Sequence, residues 1–234
     1  MNEEILIVSL GPGDPELLTI KALKALWMAD AVFCPTTLVN GVESSRSLSI
    51  LEAHDIDADK IECYHLPMRK DRTETLRIYA SVAEQIAELH SQGKSVVITA
   101  EGDGGFFSSS QYVGEMLEAR GIEVRRIAGV PAFIDCAALA NMHIAKGDNA
   151  LVINPYLEDI VEAKRMIEKG ANMVCMKPSQ SESNIKQLID ECADYAHFHY
   201  IENCGGEREY YTSDIETIKT RKFPYFAILI IESI

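Results

Sequence analysis

Short apolar runs alternate with stretches whose apolar residues recur every three to four positions, and the alternation holds along most of the 234-residue chain. Residues 5–10 read as a strand, 15–28 as a helix, 31–34 as a strand and 44–53 as a helix. A strand at 61–64 and a long amphipathic helix over 73–91 follow. Residues 94–100 carry the strongest β pattern, with Gly93 as the preceding helix stop. A helix over 109–119 ends at Gly121, and 122–127 forms another strand. Beyond a break at Ala128-Gly129-Val130-Pro131 the pattern predicts a helix at 132–140, a strand at 150–153, a helix at 158–169, a strand at 173–176 and a helix at 182–193. Strands at 196–201 and 225–231 complete it. Strands separated by helices imply parallel pairing and an α/β fold, here in two domains, 1–127 and 128–234.

Ligands on such sheets bind beyond the carboxyl ends of the strands, and two glycine-rich segments fall there. Gly11-Pro12-Gly13-Asp14-Pro15 follows the first strand. Its glycines allow a sharp turn with bare peptide groups, while Asp14, Pro15 and Glu16 suit a helix start. No Gly-Lys-Ser/Thr follows, so it is not a P-loop, and the glycine spacing is not that of a dinucleotide fingerprint. The second segment, Glu101-Gly102-Asp103-Gly104-Gly105-Phe106, follows the strand at 94–100 and offers exposed amides, one fixed carboxylate and an aromatic cover. Taken singly, each segment fits a structural turn as well as a ligand loop.

Composition narrows the class. The chain is 47% hydrophobic and 25% charged, as expected of a globular protein. No apolar stretch is long enough to cross a bilayer, and the acidic Met1-Asn2-Glu3-Glu4 start is unlike a signal peptide, so a cytoplasmic protein is expected. Six scattered cysteines without a CxxC pair read as core thiols rather than disulfides or zinc ligands. The net charge of −14 argues against nucleic acid as a partner. Within so acidic a chain, Arg69-Lys70-Asp71-Arg72 with Arg77 beyond is the densest basic patch, and it reads either as a solvated helix start or as an anion-binding rim.

The two glycine loops in this order resemble those of the tetrapyrrole methylases, S-adenosylmethionine-dependent enzymes of cobalamin and sirohaem synthesis. Further matches follow in sequence: Ala128-Gly129-Val130-Pro131-Ala132-Phe133, Cys175-Met176-Lys177, Ile201-Glu202-Asn203-Cys204 and Pro224-Tyr225-Phe226-Ala227-Ile228-Leu229. The resemblance implies two α/β domains with the cofactor site in the cleft between them, and a homodimer. It implies cofactor contacts from Pro12, Gly102, Asp103, Phe106, Pro131, Ala132, Met176 and Cys204. Cys34-Pro35-Thr36-Thr37, Leu66-Pro67-Met68-Arg69-Lys70-Asp71-Arg72 and Ile144-Ala145-Lys146-Gly147-Asp148 are similar to the branch that methylates C20 of precorrin-2 or its cobalt form. That substrate carries eight carboxylates, for which Arg69, Lys70, Arg72 and Arg77 are the candidate receivers.

Two positions depart from the family pattern. Gly104 stands where a proline is usual, which implies a more mobile loop, and Pro131 stands where a hydroxyl residue is usual, removing one cofactor hydrogen bond. Methyl transfer from a sulfonium needs alignment and desolvation rather than an activated nucleophile, and no Ser-His or Cys-His constellation is present. His143, Asp103, Glu101 or a substrate carboxylate can serve as the base that removes the meso proton, whereas His197 and His199 alternate on a strand and read as structural. Two alternatives remain: another corrin or porphyrin intermediate as substrate, or a non-catalytic module that binds tetrapyrrole or cofactor.

Overall fold

The computed structural model describes residues 4–39, 42–67 and 72–234. The chain divides into two compact units, Met1–Pro131 and Ala132–Ile234, and the division falls at the end of the Ala128–Pro131 segment.

In chain order the first unit contains β1 (Ile5–Ser9), α1 (Ile20–Met28), β2 (Ala31–Val39), β3 (Val42–Ser44), α2 (Arg46–Ala53), β4 (Ile61–His65), α3 (Thr73–Ser91), β5 (Val96–Ala100), α4 (Ser110–Glu118) and β6 (Val124–Ile127). The strand order is β2-β5-β1-β6, all parallel, with β4 parallel on the other edge of β2 and β3 antiparallel to its end. Alternate residues of β1 feed opposite cores. Ile5 and Ile7 pack with α3 and α4 through Val82, Ile86, Val113 and Leu117. Val8 and Leu10 pack with α1 and α2 through Ala22, Leu26, Ile50 and Leu51. The chain therefore leaves β1 toward one face of the sheet and leaves β5 toward the other. Because β1 and β5 are neighbours, their carboxyl ends form the topological switch point at which such sheets open a crevice.

The second unit contains α5 (Ala132–Leu139), β7 (Leu151–Asn154), α6 (Ile160–Glu168), β8 (Asn172–Cys175), α7 (Glu182–Cys192), β9 (Ala196–Glu202), β10 (Tyr210–Thr212), α8 (Ile215–Thr220) and β11 (Ala227–Ser233). Its strand order is β10-β9-β11-β8-β7. One face is covered by α6, α7 and α8, and the other by Phe133, Cys136 and Ala137 of α5 over Val174, Ile201, Ile228 and Ile230.

Several elements differ from the sequence expectation. The helix expected over 15–28 is broken: Pro15–Leu17 forms a single 3-10 turn capped by Asp14, Leu18 and Thr19 are extended, and α1 begins only at Ile20, capped by Thr19. Strand β2 continues through Pro35 to Val39, and the Pro35 carbonyl accepts the Ser45 hydroxyl instead of ending the strand. In the second unit β7 and β8 pair in parallel, but β11 is antiparallel to both β8 and β9, because the chain reverses from β9 to β10 without a helical crossover. Strand β10 and helix α8 are too short for periodicity to reveal. Five of the cysteines are buried free thiols as expected, while Cys63 is exposed on β4.

Candidate functional site

Three loops converge at the switch point of the first unit. The Leu10 amide donates to the Ala100 carbonyl at 2.9 Å. Gly11 and Gly102 then exchange both of their backbone hydrogen bonds, at 3.1 and 2.7 Å, as an antiparallel bridge between the loops after β1 and β5. Gly11 makes this turn at φ +86°, a conformation that other residues adopt only at a cost. The third loop, after β6, brings in Gly129. A β-carbon there would lie 2.5 Å from Ser9 Cβ and 2.9 Å from the Gly102 carbonyl oxygen, so the close approach of the three loops depends on its absence.

Asp103 sits at the centre of this arrangement. Its Oδ1 accepts the Gly105 amide and its Oδ2 accepts the Gly129 amide, both at 2.7 Å. The carboxylate thus pins the second loop to the third. The Gly104 amide donates to Ser9 Oγ at 2.9 Å within the buried floor. A proline at 104 would have no N–H to give, so the serine hydroxyl supplies a restraint on this loop that the family's proline could not take up. Phe106 stands on the rim, 40% exposed. Pro12 is buried, and its carbonyl accepts Arg46 Nη1 at 3.3 Å.

Arg46 also acts on Glu101, at the carboxyl end of β5. The surrounding protein raises the Glu101 carboxyl above its ordinary pKa, with Arg46 opposing, while the side chain keeps an exposed edge. Alongside, Thr36 Oγ1 bonds His65 Nδ1 at 2.7 Å, and burial pushes the Cys34 thiol up to about 12. Cys34 is therefore a neutral core thiol. Sequence reading missed Ser9 and Arg46, because neither belongs to a recognisable motif.

The basic patch is only partly described, since Arg69 and Lys70 lie outside the described residues. Arg72, just before α3, is exposed and donates to Tyr112 Oη at 2.9 Å, and Tyr112 stacks on Tyr79 with ring centroids 5.6 Å apart. Arg77 is exposed on α3. Pro131 ends the third loop.

The second unit gathers its own three expected residues. Ala132, Met176 and Cys204 all belong to the cluster beneath α5. The Cys204 thiol donates to Asp135 Oδ2 at 3.2 Å, and the neighbouring Cys136 thiol, burial and Asp135 together hold it protonated. His143 is exposed in the segment after α5. His199 stacks on Tyr211, which bonds its Nδ1 at 3.0 Å, and its Nε2 faces Glu232 at 3.6 Å, consistent with a structural role. Among the described residues no cluster is arranged to hold a metal ion, and no helix is long and apolar enough to cross a membrane.

Comparison with known proteins agrees with this geometry. The family model for Tetrapyrrole (Corrin/Porphyrin) Methylases matches residues 4–219. A probable cobalt-precorrin-2 C(20)-methyltransferase of Methanocaldococcus jannaschii is 30% identical over 73% of this chain and 70% of its own length. A precorrin-2 C(20)-methyltransferase of Sinorhizobium sp is 26% identical over 96% of this chain and 93% of its own. The crystal structure of uroporphyrin-III C-methyl transferase from Thermus thermophilus, complexed with S-adenyl homocysteine, superposes with a TM-score of 0.66 at 16% identity. It covers 98% of this chain and 92% of that one, which shows the shared fold. A family match across almost the whole chain, on a fold that closes three glycine loops at one switch point, places this protein in the tetrapyrrole methylase family.

Proposed function

We propose that this protein methylates C20 of precorrin-2 or of its cobalt-containing form, with S-adenosylmethionine as donor. The observation that carries the reading is the Gly11–Gly102–Gly129 convergence, where glycines let three loops pack against one another at the switch point, on a chain whose relatives are named for that carbon. The site fits the donor chemically. It is lined by peptide groups and the Asp103 carboxylate, acceptors suited to a sulfonium cation and a ribose diol. Pro12, Gly102, Asp103, Phe106 and Pro131 are the residues of the first unit assigned to hold it. When bound, the donor supplies an electrophilic methyl group and leaves as S-adenosylhomocysteine.

The protein's own work is alignment, exclusion of water and removal of the proton displaced from the meso carbon. Both oxygens of Asp103 already receive amide bonds, and His143 stands in an exposed segment. Glu101, which follows β5 at its carboxyl end and has a raised pKa, is the residue assigned as base. Arg72 and Arg77, with Arg69 and Lys70 of the same stretch, are assigned to the substrate carboxylates, which arginine binds in a fork. A cytoplasmic homodimer completes the reading.

The test is calorimetric titration with S-adenosylhomocysteine, followed by anaerobic turnover of precorrin-2 with and without cobalt. Cofactor binding with transfer to C20 supports the proposal. Binding without transfer to any corrin precursor favours a binding module instead. Arg69→Ala with Arg72→Ala is expected to raise the KM for tetrapyrrole and weaken its salt dependence, and an unchanged KM removes the patch from the substrate site.

A further inference from the structure

The buried hydroxyl of Ser9 has a place in the site that neither the family resemblance nor the relatives assign. Ser9 ends β1 on the same face as Ile5 and Ile7, is 1% exposed, and its Oγ receives the Gly104 amide at 2.9 Å. A β-carbon on Gly104 would lie 3.1 Å from Ile7 Cγ2, 3.4 Å from Ala100 Cβ and 3.6 Å from Ser9 Oγ. A β-carbon on Gly129 would lie 2.5 Å from that of Ser9 itself. Ser9 therefore occupies the space between the second and third loops: Gly129 is cut to fit it, and Gly104 is tied to it by the hydrogen bond while its own tight contact is with Ile7. The proline expected at 104 would meet Ile7 and lose the hydrogen bond. Its absence goes together with the Ser9 hydroxyl as one half of a matched pair.

We propose that Ser9 is a positioning residue for the cofactor: its hydroxyl anchors Gly104, and through it holds Asp103 and Phe106 in the conformation that receives S-adenosylmethionine. This rests on the cofactor reading given above. Ser9 touches the loop and not the reacting atoms, so its removal loosens binding of the donor rather than altering substrate recognition. A neutral hydrogen bond contributes about 1 kcal/mol, which corresponds to about a fivefold change in affinity.

The experiment compares wild type, Ser9→Ala and Ser9→Cys by amide hydrogen exchange across 103–106, calorimetry with S-adenosylhomocysteine, and thermal unfolding. Ser9→Ala is expected to speed exchange of the Gly104 amide at least tenfold and to weaken S-adenosylhomocysteine about fivefold. Tetrapyrrole KM stays unchanged. Ser9→Cys, whose sulfur is a weaker acceptor, is expected to fall between, and it decides the matter if the alanine variant does not fold. Gly104→Pro is expected to harm binding less in the Ser9→Ala background than in wild type, because no hydrogen bond is left there to break. A lower melting temperature with exchange and affinity unchanged would overturn the positioning role and leave Ser9 as packing alone. Failure of wild type itself to bind S-adenosylhomocysteine would overturn the cofactor reading and this role with it, a result distinct from normal binding by both variants.

Discussion

Replacing Gly129 by alanine tests the convergence of the three loops with a single methyl group. The added β-carbon would sit 2.5 Å from Ser9 Cβ and 2.9 Å from the Gly102 carbonyl oxygen. Neither neighbour is the free end of a side chain, so no rotamer change relieves the contact, and the third loop must move away. Overpacking of this kind costs about 1–3 kcal/mol. Movement also stretches the 2.7 Å bond from the Gly129 amide to Asp103, a charge-assisted bond worth about 1.5–3 kcal/mol when intact. A total near 3 kcal/mol lowers the melting temperature of a unit of this size by about 10 °C. Gly121→Ala is the control: open space surrounds that site, and only its φ of +78° is strained, for about 1 kcal/mol. Calorimetric unfolding and S-adenosylhomocysteine titration of both variants measure the contrast. A Gly129→Ala protein no less stable than Gly121→Ala, with wild-type affinity, would refute the reasoning.

Asp103→Asn is expected to cost about 2 kcal/mol and to weaken S-adenosylhomocysteine, because the amide NH2 must face one of the two backbone donors that Asp103 now accepts; unchanged unfolding and binding would sink the clamp. Glu101→Gln is expected to lower kcat while sparing cofactor affinity. Since the Glu101 pKa is raised, the acid limb of kcat lies above the ordinary carboxylate value of 4.5, and Arg46→Ala moves it higher, because Arg46 lowers that pKa; a limb that Arg46→Ala leaves in place argues against Glu101 as base. Burial lowers the His199 pKa below 6.5 despite Glu232, while nearby His197 adds to the lowering; Lys146 and Tyr211 line the same cluster. The unfolded chain then takes up that proton first, so stability falls as pH drops below about 6.5. His199→Gln should flatten this slope, and an NMR titration midpoint above 6.5 would reverse the sign. Arg221→Ala removes the fork onto Glu202 at 2.9 and 3.1 Å and its packing over Tyr210, for about 2 kcal/mol after allowing for partial exposure; lysine should restore little of it, as chemical denaturation would show.

The parallel first sheet and its glycine loops were legible because long amphipathic helices and apolar strands repeat there with clear periods. The second unit was less so: its antiparallel closing strand carries the same apolar run a parallel strand would, and direction leaves no mark on hydrophobicity. Motif order pointed to Gly102, Asp103 and the Gly129 segment, which the structure brings together, but it did not reveal what restrains Gly104. Its restraint comes from Ser9, 95 residues earlier in the chain, and only tertiary structure brings the two together. Gly129 shows the same limit. No turn at positive φ demands glycine there, and the need arises wholly from the neighbouring loops.

The central claim is methyl transfer to a corrin precursor from a donor held by these loops. Its most direct test is anaerobic incubation of the protein with precorrin-2, or its cobalt form, and S-adenosylmethionine carrying a 13C-methyl group, with the product examined by NMR. The account predicts one new labelled methyl at C20 and one equivalent of S-adenosylhomocysteine. A label at another carbon would contradict the assigned substrate position, and no label in a protein that binds S-adenosylhomocysteine would contradict catalysis.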